Sequence, residues 1–580
     1  MSERKRKFVD EKAGKFAKCR VGSIKKRHRP QNRFEIEQEC TSTSASAKKL
    51  NAGNKIDNEV NASFGYRVIN FLTVFSAISG VVKCKKCDGD ITFAESSIRG
   101  LGFTLVIKCD SCKPTSVHSS PLINGKAYEI NRRIIFVSKL LVFGHAGIEK
   151  FCGLMDLPRP VFRSMYNKIL NNIHHAAETV CNLSMKNAIE EEKRINEEKE
   201  NGPGLTISGD GTWQKRGFSS LFGVSTLIGH YSGKVIDLVV KSAYCKSCES
   251  WKKLSLTPEY NILKETHEKK CSANHEGSSG QMEVDAIREM FARSQEKYSV
   301  MYTNYIGDGD SKTYKGVVDF KPYGDEVICK KECIGHVQKR MGTRLRSIKK
   351  VSKGLGGKGK LTDKLINELT IYYGLAIRRN SHCKEAMKKA IWSTFLHKIS
   401  SDKNPQHQMC PSGAHSWCSW QVAKATKTLK SYVDKNPLSQ IVQDAIRPIY
   451  KDLSTDKLLQ RCEGGFTQNN NESLNSIIWT IAPKIMFSGR TTVNIAAFIA
   501  ANIFNDGYNI LKIMEVMGVV IGPEAQNYVE QHNRDRIRIA NRRSLETSKE
   551  ARMTRKSARF AVEDMYEEAE GILYAAGIAD

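Results

Sequence analysis

Residues 205–213 read L-T-I-S-G-D-G-T-W, and apolar Leu205 and Ile207 alternate with smaller polar positions before Asp210. That alternation predicts a strand with one buried face, ending where it delivers a carboxylate. Residues 220–230 and 235–241 repeat the strand signal, and Tyr231-Ser232-Gly233-Lys234 between them predicts a hairpin turn. In 281–298, Val284, Ile287 and Phe291 share one stripe of an amphipathic helix. A strand follows over 300–306 and runs into Gly307-Asp308-Gly309-Asp310; Ser311 opens another helix, and 327–329 reads as a further strand. Taken alone, Asp210 is also a good turn residue, because Asp-Gly is a common turn pair.

Elsewhere the period changes. Residues 127–200 look helical, with Ile134, Leu140, Leu141, Phe151 and Leu154 as apolar positions, Pro158 and Pro160 as punctuation, and a second helix over 161–198. Arg132, Arg133, Arg159 and Arg163 on this helix pair suit a helix-turn-helix contact with DNA; the plainer reading is a packing or dimer module. Residues 190–199 form a charge run expected in solvent, and 201–204 a linker. From 333 to 460 the chain is helical and basic with no convincing strand. Asn469-Asn470-Asn471 caps a later helix and sets Glu472 in its first turn. The resulting order is a disordered basic tail (1–60), a cysteine-rich module (61–126), a helical region (127–200), the first part of an α/β core (201–332) with an insertion at 243–280, a helical insertion (333–460), the last part of the core (461–520), and a basic then acidic helical tail (521–580).

At 580 residues the chain is too long for one ordinary core. Its 91 lysines and arginines against 62 acidic residues, a formal charge of +29, point to a polyanionic partner, and nucleic acid fits best. No apolar run approaches the roughly eighteen residues of a membrane span. The charged N-terminus shows no secretory signal, so the seventeen cysteines are expected in a reducing compartment, where paired C-x-x-C spacings favour zinc over disulfides. The clusters at 4–7 and 25–29 fit a nuclear import address or a DNA-clinging arm.

Four groups carry chemistry. Cys84-x-x-Cys87 and Cys109-x-x-Cys112, twenty-one residues apart, have the spacing of a zinc ribbon. Cys245-x-x-Cys248 is followed by His267, Cys271 and His275, so Cys-Cys-His-Cys and Cys-Cys-Cys-His sets are both open; a helix there would put the last three on one face. Lys339, Arg340, Arg344, Arg346, Lys349 and Lys350, with Lys358 and Lys360 in a glycine-rich loop, suit phosphate contacts, although the loop lacks the spacing of a nucleotide P-loop. Finally, Asp210, Asp308 or Asp310, and Glu472 form a set of carboxylates. Converging, they would repel unless divalent cations neutralised them. Two hard cations about 4 Å apart suit phosphodiester chemistry. The glycines beside Asp210 would then let a DNA backbone approach.

The sequence resembles the Mutator-like DNA transposases. The matching pieces are G-D-G-T-W (209–213), Cys245/Cys248 with C-S-A-N-H-E-G-S-S-G-Q-M-E (271–283), G-D-G-D-S-K (307–312), C-I-G-H (333–336), H-Q-M-C-P-S-G-A-H-S-W-C (407–418) and N-E-S-L-N-S (471–476). The resemblance implies an α/β fold with an RNase H-like core, a mixed sheet flanked by helices and interrupted by a helical insertion. It implies a DDE triad, with Asp210 first, Asp308 or Asp310 second and Glu472 last, holding Mg²⁺ or Mn²⁺. It further implies double-stranded DNA as partner (terminal inverted repeats and target), a homo-oligomer and a nuclear site of action. A non-catalytic DNA-binding protein derived from such an enzyme is the alternative. Cys333 and His336 match the family's C-x-x-H element. Their spacing mirrors that of His407 and Cys410, and the two pairs are expected to make one zinc set, with Cys418 as a substitute ligand.

Overall fold

The computed structural model describes residues 44–51, 58–200, 202–215, 220–252, 258–268, 271–307, 312–352, 354–357, 359–434 and 436–546. They divide into a large unit, 44–394 with 438–546, and a small one, 395–437. Both import-type clusters, at 4–7 and 25–29, lie outside the described residues, as do 547–580 of the expected tail. No helix among the described residues is long and apolar enough to cross a membrane.

The large unit opens with a correction. Within the stretch expected to be disordered, Ala45–Asn51 is helical. Ala47 is buried, and Lys49 places its ammonium 3.5 Å from the centre of the Phe504 ring. Next, β1 (Ile91–Arg99), β2 (Gly102–Cys109) and β3 (Thr115–His118) form an antiparallel meander, followed by a short hairpin of β4 (Leu122–Ile123) and β5 (Ala127–Tyr128).

The central sheet contains β6 (Leu205–Trp213), β7 (Phe222–Gly229), β8 (Val235–Ser242), β9 (Tyr302–Gly307) and β10 (Cys329–Glu332), in the order β10-β9-β6-β7-β8. The β6, β7 and β8 neighbours are antiparallel, whereas β9 runs parallel to both β6 and β10. Six helices recur below: α1 (Arg163–Glu198), α2 (Ser279–Ala292), α3 (Lys312–Phe320), α4 (Ile334–Val351), α5 (Asn469–Ile481) and α6 (Arg490–Asp506). Every residue of β7 is buried, as expected for a strand covered on both faces. On one face Leu227, Ile236 and Val239 pack with Ala286, Ile287, Met290 and Phe291 of α2. On the other, Phe222, Val224 and Ile228 pack with Leu474 and Ile478 of α5 and Val493 and Ala497 of α6. The result is a layered mixed α/β unit.

Several expectations fail for identifiable reasons. The last strand comes later than 327–329, because Val327 is exposed while Lys330 and Glu332 are buried as an ion pair at 3.5 Å, with Arg340 also on Glu332. A charged strand carries no apolar signal. Residues 190–199 are not all solvated: Glu192 is buried and accepts the backbone N–H groups of Tyr231 (2.9 Å) and Ser232 (2.7 Å), holding the hairpin turn. Arg132 donates to the Met517 carbonyl, and Arg133 to Glu129 and the Val520 carbonyl, so these two arginines serve packing. Residues 333–460 show helices and no strand among those described. In the small unit lie the end of the helix Lys384–Ile399, the short helix Ser419–Ala425 and one 3-10 turn, Leu429–Ser431.

Candidate functional site

Asp210 sits half-buried on β6, in register with Thr226 of β7. What fixes it is α5, which lies along the strand and is hydrogen-bonded to it. Asn471 accepts from the Ser208 hydroxyl (2.8 Å) and donates to the Ser208 carbonyl (3.3 Å). Asn475 Nδ2 donates to Asp210 Oδ2 (2.7 Å), and Trp479 Nε1 to Thr212 Oγ1 (2.8 Å). One turn earlier, Gln468 Nε2 donates to the Gly209 carbonyl (2.8 Å). The repeat is geometric: four helical residues rise about 6 Å and two strand residues about 6.6 Å, so positions 471, 475 and 479 keep step with 208, 210 and 212. The asparagines therefore work differently from the expected cap. Gln468 occupies the N-cap and makes no side-chain cap bond, while Asn471 and Asn475 are spent on β6.

Glu472 is one residue past Asn471, in the first turn of α5, exposed and 3.7 Å from Lys339. An exposed pair of this kind contributes about 0–1 kcal/mol, so it leaves the carboxylate available. β9 ends at Gly307; Asp308 and Asp310 lie outside the described residues.

Sequence reasoning missed a further acid packed on β6 beside Gly211. A Cβ added to Gly211 would lie 2.8 Å from Glu283 Oε2, and one on Gly209 would lie 2.6 Å from the Tyr305 hydroxyl. The flanking glycines thus accommodate Glu283 and Tyr305, which corrects the expectation that they open a path for DNA. Glu283 also accepts from Thr313 Oγ1 on α3 at 3.2 Å. Burial holds the Tyr305 phenol well above its usual range, and the negative charges of Glu283 and Asp210 push it the same way.

Among the described residues, three Cys/His groups bring their ligand atoms within 4.8 Å of one another and could each hold a metal ion. In the first, Cys84, Cys87, Cys109 and Cys112 converge, with sulfur distances of 3.2 Å (87 to 109), 3.5 Å (87 to 112) and 3.8 Å (84 to 112). Backbone N–H groups of Lys86 and Cys87 lower the Cys84 thiol to about 6. The second contains Cys245, Cys248, His267 and Cys271, with Cys245 Sγ 3.1 Å from His267 Nε2 and Cys248 Sγ 3.5 Å from Cys271 Sγ. His275 is not in this set: it contacts Asp285 (3.2 Å) and the Ser278 carbonyl (3.2 Å). The expected single helical face fails too, because the helix Pro258–His267 stops before Cys271.

The third group corrects the proposed pairing of Cys333 and His336 with His407 and Cys410. His407 and Cys410 are completed by His397 and Cys418, all within the small unit. Cys418 is a full member rather than a substitute. Cys333 N-caps α4, and His336 Nδ1 lies 3.0 Å from Gln468 Oε1, so this pair braces the residue that holds the Gly209 carbonyl.

Much of the basic face of α4 is engaged. Arg340 pairs with buried Glu332, Arg344 with Asp452 (3.3 Å), Lys349 with Asp363 (2.9 Å), and Arg346 donates to Asn367 (2.9 Å). Lys350 is exposed, Lys360 donates to the Gly354 carbonyl (2.7 Å), and Lys358 is outside the described residues.

No curated protein and no solved structure matches the chain. A family model for the Mutator-like transposase matches residues 65–418, which takes in the cysteine-rich meander, β6 to β10 and all three Cys/His groups. The match covers more than half of the sequence, and the chain belongs to the Mutator-like transposase family.

Proposed function

We propose that the protein is a DDE-type DNA transposase with an RNase H-like core, in which Asp210, an aspartate of the 308–310 stretch and Glu472 bind a pair of Mg²⁺ or Mn²⁺ ions. The observation that carries this reading is the hydrogen-bonded alignment of α5 on β6, which brings the Glu472 helix to the Asp210 strand. The mixed sheet with helices on both faces supports it. So does register: Ser208 pairs with Ile306, and the second aspartate follows Ile306 by two residues as Asp210 follows Ser208.

The residues present fit hard cations. Beside the Asp210 carboxylate, Asn475 Oδ1 is buried without a hydrogen-bond partner among the described residues, an amide oxygen of the kind such ions accept. When bound, the ions would activate the attacking oxygen and stabilise the departing one. Asn475 orients the Asp210 carboxylate, Gln468 braces the strand backbone beside it, and Lys339 and Lys350 offer exposed positive charge for phosphates. The second and first Cys/His groups, rich in thiolates, suit structural zinc rather than catalysis. The same reading assigns terminal-repeat and target DNA as partners, a homo-oligomer as the working form and the nucleus as its site.

The test is cleavage of end-repeat DNA with magnesium or manganese, comparing wild type with Asp210→Ala. Wild type should cut and the variant should bind without cutting. Equal cleavage by both would refute the role of Asp210. Tight binding with no cleavage by wild type would favour the non-catalytic DNA-binding alternative.

A further inference from the structure

We propose that residues 395–437 form a module folded around one structural zinc ion, with His397 Nδ1, His407 Nδ1, Cys410 Sγ and Cys418 Sγ as its four ligands and Asp434 as the residue that fixes His407. This inference stands apart from the catalytic reading and uses none of its residues.

Distances make the first argument. A tetrahedral zinc with bonds of about 2.05 Å to nitrogen and about 2.3 Å to sulfur sets its ligands about 3.3 Å (N to N) and about 3.6 Å (N to S) apart. Here the two Nδ1 atoms are 3.2 Å apart. Cys418 Sγ is 3.5 Å from His407 Nδ1 and 3.6 Å from His397 Nδ1, and Cys410 Sγ is 3.9 Å from His397 Nδ1. Ordinary buried thiols and histidines have no reason to converge on one point from four positions.

The shell behind the ligands makes the second. His407 Nε2 lies 2.9 Å from Asp434 Oδ2 and 2.9 Å from Ser400 Oγ. The Ser400 hydroxyl donates to Asp434 Oδ2 (2.6 Å), while the Asp434 backbone N–H donates to Asp402 (2.7 Å). A carboxylate on Nε2 keeps the proton there and leaves the Nδ1 lone pair toward the thiols, as histidine ligands of zinc require. Trp420 stacks on His407 at 5.2 Å, and Trp417 meets His397 edge-on at 5.0 Å, limiting ring rotation. His407 and Cys418 are at most 1 % exposed and Cys410 5 %, His397 is half-buried, and four protein ligands fill a tetrahedral set, so a closed structural site is the fitting class.

The third argument is what else holds the module together. Among its described residues the buried apolar side chains are Phe395, Cys410, Cys418 and Ala423, and two of those are ligands. A span of roughly forty residues with so small a core cannot offset the entropy of ordering its backbone and needs a metal or cross-link. Both cysteines are free. The metal is therefore the source of the fold, as in zinc-dependent small domains.

Zinc content of the full-length protein tests this. Cys418→Ala should bind one zinc fewer per chain than wild type and should become cleavable by protease within 395–437 at a dose that leaves the wild-type module intact. His407→Cys, which preserves a ligand, should retain the zinc that His407→Ala loses. Equal zinc in Cys418→Ala and wild type would overturn the proposal. Should the alanine variants precipitate, chelator competition on wild type and Asp434→Asn decides. One of the bound ions should leave about 10–100-fold more readily in Asp434→Asn, the usual cost of removing a partner behind a ligand. Superimposable release curves would overturn it.

Discussion

The Asp210 site and the His397–Cys418 site are assembled in opposite ways. The first joins segments more than 250 residues apart, and its acids stand on a framework of backbone pairing and side-chain hydrogen bonds. The second draws all four ligands from one short stretch, with little apolar core to hold them. In the first, the fold makes the site; in the second, the site makes the fold. Metal loss should therefore silence one and unfold the other.

The largest expected effect separates the two directly. Asp210→Asn removes a charge but leaves the shape and the bond partner of Asn475. DNA cleavage should fall by at least about 10³-fold, on the scale of losing a principal transition-state stabiliser. Zinc content should stay at the wild-type value. A variant that lost zinc along with activity would show the two sites to be coupled, and the contrast would break.

The framework itself can be attacked far from either site. Asp237 is fully buried on β8 and is held by Arg293 at 2.6 Å, with Lys297 farther off at 3.9 Å. Arg293→Ala removes the nearest charge from that carboxylate and leaves it the Leu238 N–H (2.9 Å) and the more distant Lys297, and breaking a buried pair costs about 3–5 kcal/mol. Burial already holds the Asp237 carboxyl above its usual range despite Arg293. The loss should therefore be greatest near neutral pH and shrink in acid, where Asp237 protonates instead. Calorimetry at both pH values checks this. The 395–437 zinc should survive conditions that melt the sheet.

Asn475→Ala should do less. It removes one bond to Asp210 and leaves those of Asn471, Gln468 and Trp479 in place. Cleavage should drop about 10–100-fold, the range for removing a residue that orients a metal ligand. Stability measured by denaturant midpoint should change little. A large stability loss would mean that α5 needs Asn475 to stay on β6 at all.

Legibility in the sequence followed the same division. The β6–β8 meander was readable because Leu205 and Ile207 alternate in β6, while β7 and β8 are short runs rich in β-branched and apolar residues, and the first two cysteine groups because C-x-x-C spacing is itself the ligand geometry. Asn471 was visible only as part of a cap and Asn475 only inside the N-E-S-L-N-S motif, since nothing local says that a strand more than 260 residues earlier will accept them. Glu283 could not be distinguished from any polar residue of an amphipathic helix, although G-S-S-G-Q-M-E was a matching motif. His397 was hidden at the end of a helix, where a histidine looks like an ordinary last-turn cation. β10 was misplaced because its burial is ionic.

A last effect concerns pH and the framework side alone. Lys49 is buried beside Phe504 of α6, and desolvation, aided by Arg536 and Lys234, lowers its ammonium from 10.5 to about 7. The unfolded chain thus holds a proton that the folded one releases between pH 7 and 10.5. By linkage the stability of the large unit should rise with pH across that window, by about 1 kcal/mol per unit from this residue. Lys49→Met keeps the packing and removes the titration. The difference in denaturant stability between Lys49→Met and wild type should therefore be largest near pH 7 and narrow toward pH 10. A difference independent of pH would mean that Lys49 enters the fold already charged, held by the aromatic ring rather than penalised by burial. The zinc-held module, whose four ligands all lie within 395–437, should show no such dependence on residue 49.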